Sequence, residues 1–100
     1  MKILKVIFKE QALFDLEDIW LYTLHSWSLK QADRYHSLII KEIEFLATSP
    51  NSGKDQNHVR EGYRSSKVKS HIIFYRILEN EIQVIRILHE RMDIPNRLAD

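Results

Sequence analysis

Four side chains in the last third of the chain, His71, Tyr75, Arg86 and His89, are of the types that cleaving a phosphodiester requires. That reaction needs a base at the ribose hydroxyl, an acid at the leaving oxygen and a cation beside the charge developing on phosphorus. An imidazole, a phenol or second imidazole, and a guanidinium can fill those roles. Each residue also has a structural use. His71 and His89 can bond backbone groups at strand ends. Arg86 lies between apolar neighbours and can anchor the last strand through a paired carboxylate. The segment RILHERMD, Arg86 to Asp93, poses the choice most sharply. It begins like a buried strand and breaks into charges, either as a reactive cluster or as a strand leaving the core. The two histidines do not suggest a metal site, because no carboxylate stands at helical or hairpin spacing to complete one. No cofactor is expected.

Whether these groups meet depends on the register of one hairpin. With a three-residue loop, Glu79-Asn80-Glu81, Leu78 faces Ile82, Phe74 faces Arg86 and His71 lands opposite His89. One face then holds His71, Ile73, Tyr75, Gln83, Ile85, Ile87 and His89. The other holds Ile72, Phe74, Arg76, Val84, Arg86 and Leu88. A two-residue loop shifts the parity and separates the histidines. The three-residue register is the expectation adopted here.

The elements that must position them follow from periodicity. Lys2 to Phe8 alternates loosely, as a short strand does. From Gln11 to His25 the period becomes helical, with Ala12, Leu16, Ile19, Trp20, Thr23 and Trp27 on one side. Ser28 followed by Gln31 is a capping-box pattern that opens a second helix, Leu29 to about Thr48. Its stripe is Ala32, Tyr35, Ile39, Ile43 and Leu46, and Pro50, Asn51 and Gly53 end it. The short connection makes the two helices an antiparallel hairpin. Val59–Val68 reads as a weak, basic edge strand, and Ser70–Leu78 and Ile82–Leu88 as strong ones. The order β-α-α-β-β-β predicts an α+β fold. A helical hairpin lies on a mainly antiparallel sheet of three to four strands, with residues 1–100 forming one domain.

Off the main stripes, Phe14 and Leu21 stand seven apart on the first helix, and Leu38 and Phe45 on the second. They are either a second core face or a docking surface for a partner's helix or strand. Charge is uneven beneath a net of +1. Between residues 10 and 24 four acidic and no basic residues give −4, and between residues 54 and 76 six Lys or Arg against two acids give +4. The basic stretch, with Arg60, Arg64 and Lys67, suits an acidic protein partner or a phosphate backbone. A 44% apolar and 29% charged composition, with no long apolar run, argues against a membrane protein. Lysines interrupt the apolar N-terminal run and no small-residue cleavage site follows it, so it reads as a strand. With no cysteine, disulfides and thiolate zinc sites are excluded, which fits the cytoplasm.

Taken in order, these motifs resemble the ParE toxins of the RelE/ParE superfamily. The residues that carry the resemblance are Asp15-Leu16-Glu17-Asp18-Ile19-Trp20, Trp27, Ala32, Tyr35, Leu46, Pro50, Gly53, Arg60 and Gly62-Tyr63-Arg64. Ser70-His71-Ile72-Ile73-Phe74-Tyr75-Arg76 and the RILHERMD ending continue it, from about Phe8 to Asp93. The resemblance implies the fold just described and a bacterial type II toxin–antitoxin system. The toxin would inhibit DNA gyrase without being an enzyme itself. A ParD-like antitoxin, dimerising through a ribbon-helix-helix domain that carries the DNA binding, would neutralise it. Phe14, Leu21, Leu38 and Phe45 then become candidate docking ground, and Arg60, Arg64 and Lys67 candidate seats for acidic antitoxin residues. RelE-like relatives instead cut messenger RNA on the ribosome and place a catalytic Tyr or His near the end of the last strand. The tail after Met92, Asp93 to Asp100, holds neither, which leaves His89 as the residue on which that alternative depends. A third expectation is a degenerate toxin kept for binding or regulation alone.

Overall fold

A computed structural model describes residues 2–99; Met1, at the head of the N-terminal run, and Asp100, at the end of the tail, lie outside them. The chain runs β1 (Lys5–Phe8), α1 (Glu10–Ser26), α2 (Leu29–Thr48), a 3-10 turn (Pro50–Ser52), β2 (Lys54–Asp55), β3 (Tyr63–Val68), β4 (His71–Ile77), β5 (Glu81–His89) and α3 (Ile94–Arg97). The strands form one sheet in the order β1-β5-β4-β3-β2. β1 pairs parallel to β5, and the other neighbours are antiparallel. This is the expected α+β arrangement, a helical hairpin on a mainly antiparallel sheet. The two-residue β2 and the single-turn α3 add to it.

The helices follow from the apolar stripes. Ala12, Leu16 and Ile19 of α1 and Ile39, Ile43, Leu46 and Ala47 of α2 pack on Ile73, Tyr75, Ile82, Val84 and Ile87 of the sheet. Each fully buried Ile or Leu contributes roughly 1.5–3 kcal/mol relative to exposure. Ser28 caps α2, its Oγ accepting the Gln31 N–H at 3.1 Å. The opposite face of the sheet buries a smaller cluster, Tyr63, Phe74 and Leu88, under Leu98 beside α3. No helix among the described residues is long and apolar enough to cross a membrane.

Three local expectations are corrected. Trp27 does not join the α1 stripe: the helix ends at Ser26 and the indole is 76% exposed. The segment before Tyr63 is not strand. Backbone turns close there instead, with the Val59 and Arg60 N–H groups donating to the Gln56 carbonyl. Gly62 stands at φ +83°, a conformation that favours glycine and ends strand pairing. The β4–β5 loop has two residues, Glu79 and Asn80, because Leu78 and Glu81 bond each other across it. The pairings Phe74↔Arg86 and His71↔His89 nonetheless form, since Ile85 is an extra residue on β5 between Tyr75↔Val84 and Phe74↔Arg86. That bulge reverses the parity set by the turn. Val84 therefore lies on the helix-facing side and Ile85 on the other, the reverse of the assignment from a three-residue loop.

The edge of β5 beyond the end of β1 is closed by a side chain. Asp15 of α1 accepts the Ile87 N–H at 2.9 Å and the Arg86 Nε–H at 2.8 Å through Oδ2, and the Arg86 Nη2 at 2.9 Å through Oδ1. Arg86 Nη1 also donates to the Arg97 carbonyl at 3.2 Å. Both side chains are largely buried, at 17% and 11% exposure. Substituting either Asp15 or Arg86 by Ala is expected to cost about 3–5 kcal/mol in urea unfolding, because it strands a desolvated charge. A loss below about 0.5 kcal/mol would show that the pair behaves as an exposed one.

Candidate functional site

β4 and β5 bring His71 and His89 together on the helix-facing side, rings 5.2 Å apart and nearly perpendicular at 86°. They open into a cleft of about 560 Å³ between the C-terminal end of α1, the first half of α2 and the β3–β4 turn. Tyr22, Trp27, Arg34, Tyr35, Leu38 and Lys69 also line it. Tyr35 fixes His71: its hydroxyl lies 2.6 Å from Nδ1 and 3.1 Å from the Val68 carbonyl. Both bonds form together when the hydroxyl donates to Val68 and His71 Nδ1–H donates to the hydroxyl, which leaves His71 Nε2 as an acceptor. His89 Nδ1 accepts the Arg91 N–H at 3.1 Å, so its neutral form carries the proton on Nε2.

Burial pushes the His71 pKa below the ordinary histidine value, and the neighbouring His89 pushes it further, against weaker opposition from Asp15 and Glu90. Burial likewise raises the Tyr35 hydroxyl above its ordinary value, so the phenol stays protonated.

The other two members of the expected reactive set are elsewhere, which corrects the four-residue cluster. Tyr75 is fully buried, donating to the Pro50 carbonyl at 2.6 Å and accepting the Gly53 N–H at 3.1 Å. It clamps the 3-10 turn to the sheet, and a Cβ on Gly53 would collide with its hydroxyl. Burial raises its pKa too. Arg86 sits across from Phe74, whose side chain belongs to the cluster on the far face, with its guanidinium held by Asp15. The phenol shares the helix-facing side with the imidazoles but is sealed under the 3-10 turn, and the guanidinium is held at the sheet edge.

The docking candidates divide by partner. Phe14, Leu21, Leu38 and Phe45 are 51%, 37%, 39% and 49% exposed, so they are surface and not a second core face. Leu38 borders the histidine cleft. Arg60 donates to the Leu98 carbonyl at 2.9 Å and stacks on Tyr63, and Arg64 donates to the Asn51 and Gly53 carbonyls. Lys67 pairs with Glu90 at 2.7 Å on the surface. Arg60 and Arg64 therefore already hold loops to the sheet.

Sequence reasoning missed Asp15 as the Arg86 acceptor, Tyr35 as the His71 partner, and Arg34 and Lys69 as neighbours of the imidazoles. Lys69 carried a local signal: it is the first residue of a two-residue hairpin turn, a position such turns favour giving to Gly. It adopts φ +54°, the sole positive φ of a non-glycine among the described residues. A left-handed non-glycine residue costs about 1–3 kcal/mol.

A family model described as ParE toxin of type II toxin-antitoxin system, parDE, matches residues 6–94. Toxin ParE1 of Mycobacterium tuberculosis is 38% identical over 84 residues, covering 83% of this chain and 86% of that protein. Toxin ParE1 of Caulobacter vibrioides is 36% identical over 83 residues, covering 83% and 85%. Toxin ParE of Escherichia coli is 34% identical over 95 residues, covering 94% and 92%. A chain from a solved structure, the chromosomal ParDE TA system from P. aeruginosa, shares the fold at a TM-score of 0.76 and 19% identity, over 87% of this chain and 96% of that one.

The lowered His71 pKa fixes the sign of one pH dependence. Above the unfolded value of about 6.5 neither state is protonated, and below it the unfolded chain takes up a proton the folded chain resists. The His71 contribution to stability is therefore full above that value and is lost as pH falls through the folded pKa. Denaturation midpoints are expected to fall from about pH 7.5 to about pH 5.5, and to fall less in His71→Gln. NMR titration of His71 at or above the ordinary histidine value would contradict this.

Proposed function

We propose that this chain, which belongs to the ParE toxin family of type II toxin–antitoxin systems, acts in the bacterial cytoplasm as an inhibitor of DNA gyrase and is neutralised by a ParD-like antitoxin. The observation that carries an inhibitor over an enzyme is the separation of reactive groups. Tyr75 is sealed under Pro50 and Gly53, and Arg86 is held by Asp15 at the sheet edge, away from His71 and His89. What the surface offers is apolar: Phe14, Leu21, Leu38 and Phe45 lie open on the helical hairpin. Those four are the proposed antitoxin docking ground. Lys67, whose side chain is 57% exposed, is a seat for an acidic antitoxin residue in exchange for Glu90. The antitoxin, not this chain, supplies DNA recognition.

A second reading, ribosome-dependent messenger RNA cleavage, is favoured by one observation: His71, His89 and Arg34 share a cleft. It requires transcripts to be cut in a translation extract at a concentration that also arrests growth.

Purified chain is expected to inhibit supercoiling by gyrase, and its antitoxin to restore it. Normal supercoiling at a large molar excess of the chain would overturn the reading. Phe14→Asp and Phe45→Asp are expected to weaken antitoxin binding at least about tenfold, about 1.4 kcal/mol, while the fold is retained, since both side chains are surface. Unchanged affinity in the double variant would remove these residues from the interface.

A further inference from the structure

We propose that the cleft between the α1–α2 corner and the β3–β4 turn seats a carboxylate-bearing segment of the antitoxin, with Lys69 and Arg34 taking the charge and Trp27, Tyr22 and Leu38 taking an adjoining apolar side chain. The inference rests on the antitoxin reading above and adds a location and a chemistry to it.

Its first support is the sign of the lining. The chain carries 14 Asp and Glu, yet the cleft is lined by Arg34, Lys69 and two histidines and by no carboxylate among the described residues. An entering anion meets no carboxylate on the lining, and Glu90, which acts on His71 from outside it, is paired with Lys67. Its second support is backbone strain. Lys69 holds a left-handed conformation at a turn position where Gly or Asn would be relaxed. Nothing in the turn's own geometry needs a lysine; the cation at the cleft rim is what the strained residue supplies. Its third support is the exposure of aromatic surface beside the cations: Trp27 is 76% and Tyr22 70% exposed. Large side chains left this open next to a groove mark a contact surface.

The occupant is a protein segment and not a nucleic acid because the positive charge does not continue along β3. Along β3 the next cation outside the cleft, Lys67, is neutralised by Glu90. A phosphate backbone needs a basic track, because its affinity comes from several phosphates neutralised together. A short acidic and apolar peptide needs two rim cations and a greasy floor, which is what the cleft has.

The test uses the full chain and, as probe, its cognate ParD-like antitoxin. Lys69→Asn relaxes the turn, so it is expected to melt at the same or a higher temperature while binding more weakly by calorimetry. Together with Arg34→Gln the loss is expected to reach about tenfold. A purely structural role for Lys69 cannot lower affinity while preserving or raising stability. Undiminished affinity in the double variant would overturn the cleft as the seat and leave the toxin–antitoxin reading standing. Failure of the wild-type chain to bind the probe would overturn both. Saturable perturbation of the His71 and His89 signals by a short oligoribonucleotide, at concentrations where the probe gives none, would make the cleft a nucleic-acid site and overturn the proposal.

Discussion

The structure depends on one carboxylate standing in for a missing strand. β1 is four residues long and its neighbour β5 is nine. The last rung between them is the bond from the Lys9 N–H to the Val84 carbonyl. Past that point the chain has turned into α1, and the outer edge of β5 would present bare backbone donors. Asp15, in the second turn of α1, supplies the acceptor that β1 no longer provides, taking the Ile87 N–H directly. The same carboxylate grips Arg86 in a bidentate fork, and Arg86 in turn reaches the Arg97 carbonyl. One side chain thus joins the first helix, the last strand and the C-terminal turn. A buried ion pair gains little net stability over an apolar replacement, because desolvation offsets the Coulomb attraction. Its use here is positional: it fixes where α1 crosses the sheet edge.

That fixation and the bulge at Ile85 work together. If the two-residue turn set the register throughout β5, residue pairs would sum one lower, Ile73 would face Arg86 and His71 would face Leu88. Arg86 would then enter the apolar layer beneath the helices, and His89 would leave the cleft. Inserting Ile85 as an unpaired residue turns Arg86 out to the edge, where Asp15 meets it, and turns Ile87 and His89 inward. Bulges re-aim side chains in this way without breaking the sheet. The pairing of the two histidines and the clamping of the arginine are therefore two results of one extra residue.

Much of this was legible in residue order. The stripes of α1 and α2, the Ser28 cap, the Pro50 stop and the strong alternation of β4 and β5 are local signals, and local signals gave the layer architecture. The histidine pair was also reached, although by a wrong loop length that the bulge then compensated. Two-residue and three-residue turns differ by one unit of parity, and a bulge hides that unit wherever it falls, so neither can be read from alternation alone. The Asp15–Arg86 bond was beyond reach for a different reason. It spans 71 positions, and no periodic pattern links residues so far apart. Trp27 was misplaced because a helical wheel says nothing about where a helix stops. The reactive cluster failed on depth: Tyr75 has the right type and face but lies under the 3-10 turn, and burial is set by what packs above a strand, not by the strand itself.

The places where this chain departs from its own folding rules lie outside the core. Core positions agree at every level, with apolar residues on helical or strand period meeting in a closed layer. The departures are a lysine in a left-handed turn, a tryptophan and a tyrosine left open, and four large apolar side chains on the outer helices. None of them improves the isolated fold, and the first works against it. Where inconsistencies gather on one class of surface, while the interior stays consistent, a functional constraint on that surface is the expected cause. Three reactive groups in this chain are taken up by structure: Tyr75 by the 3-10 turn, Arg86 by the sheet edge, Tyr35 by His71. Beside the open His71–His89 pair, the surface offers shape, apolar area and rim charge, which are the means by which a protein holds another protein.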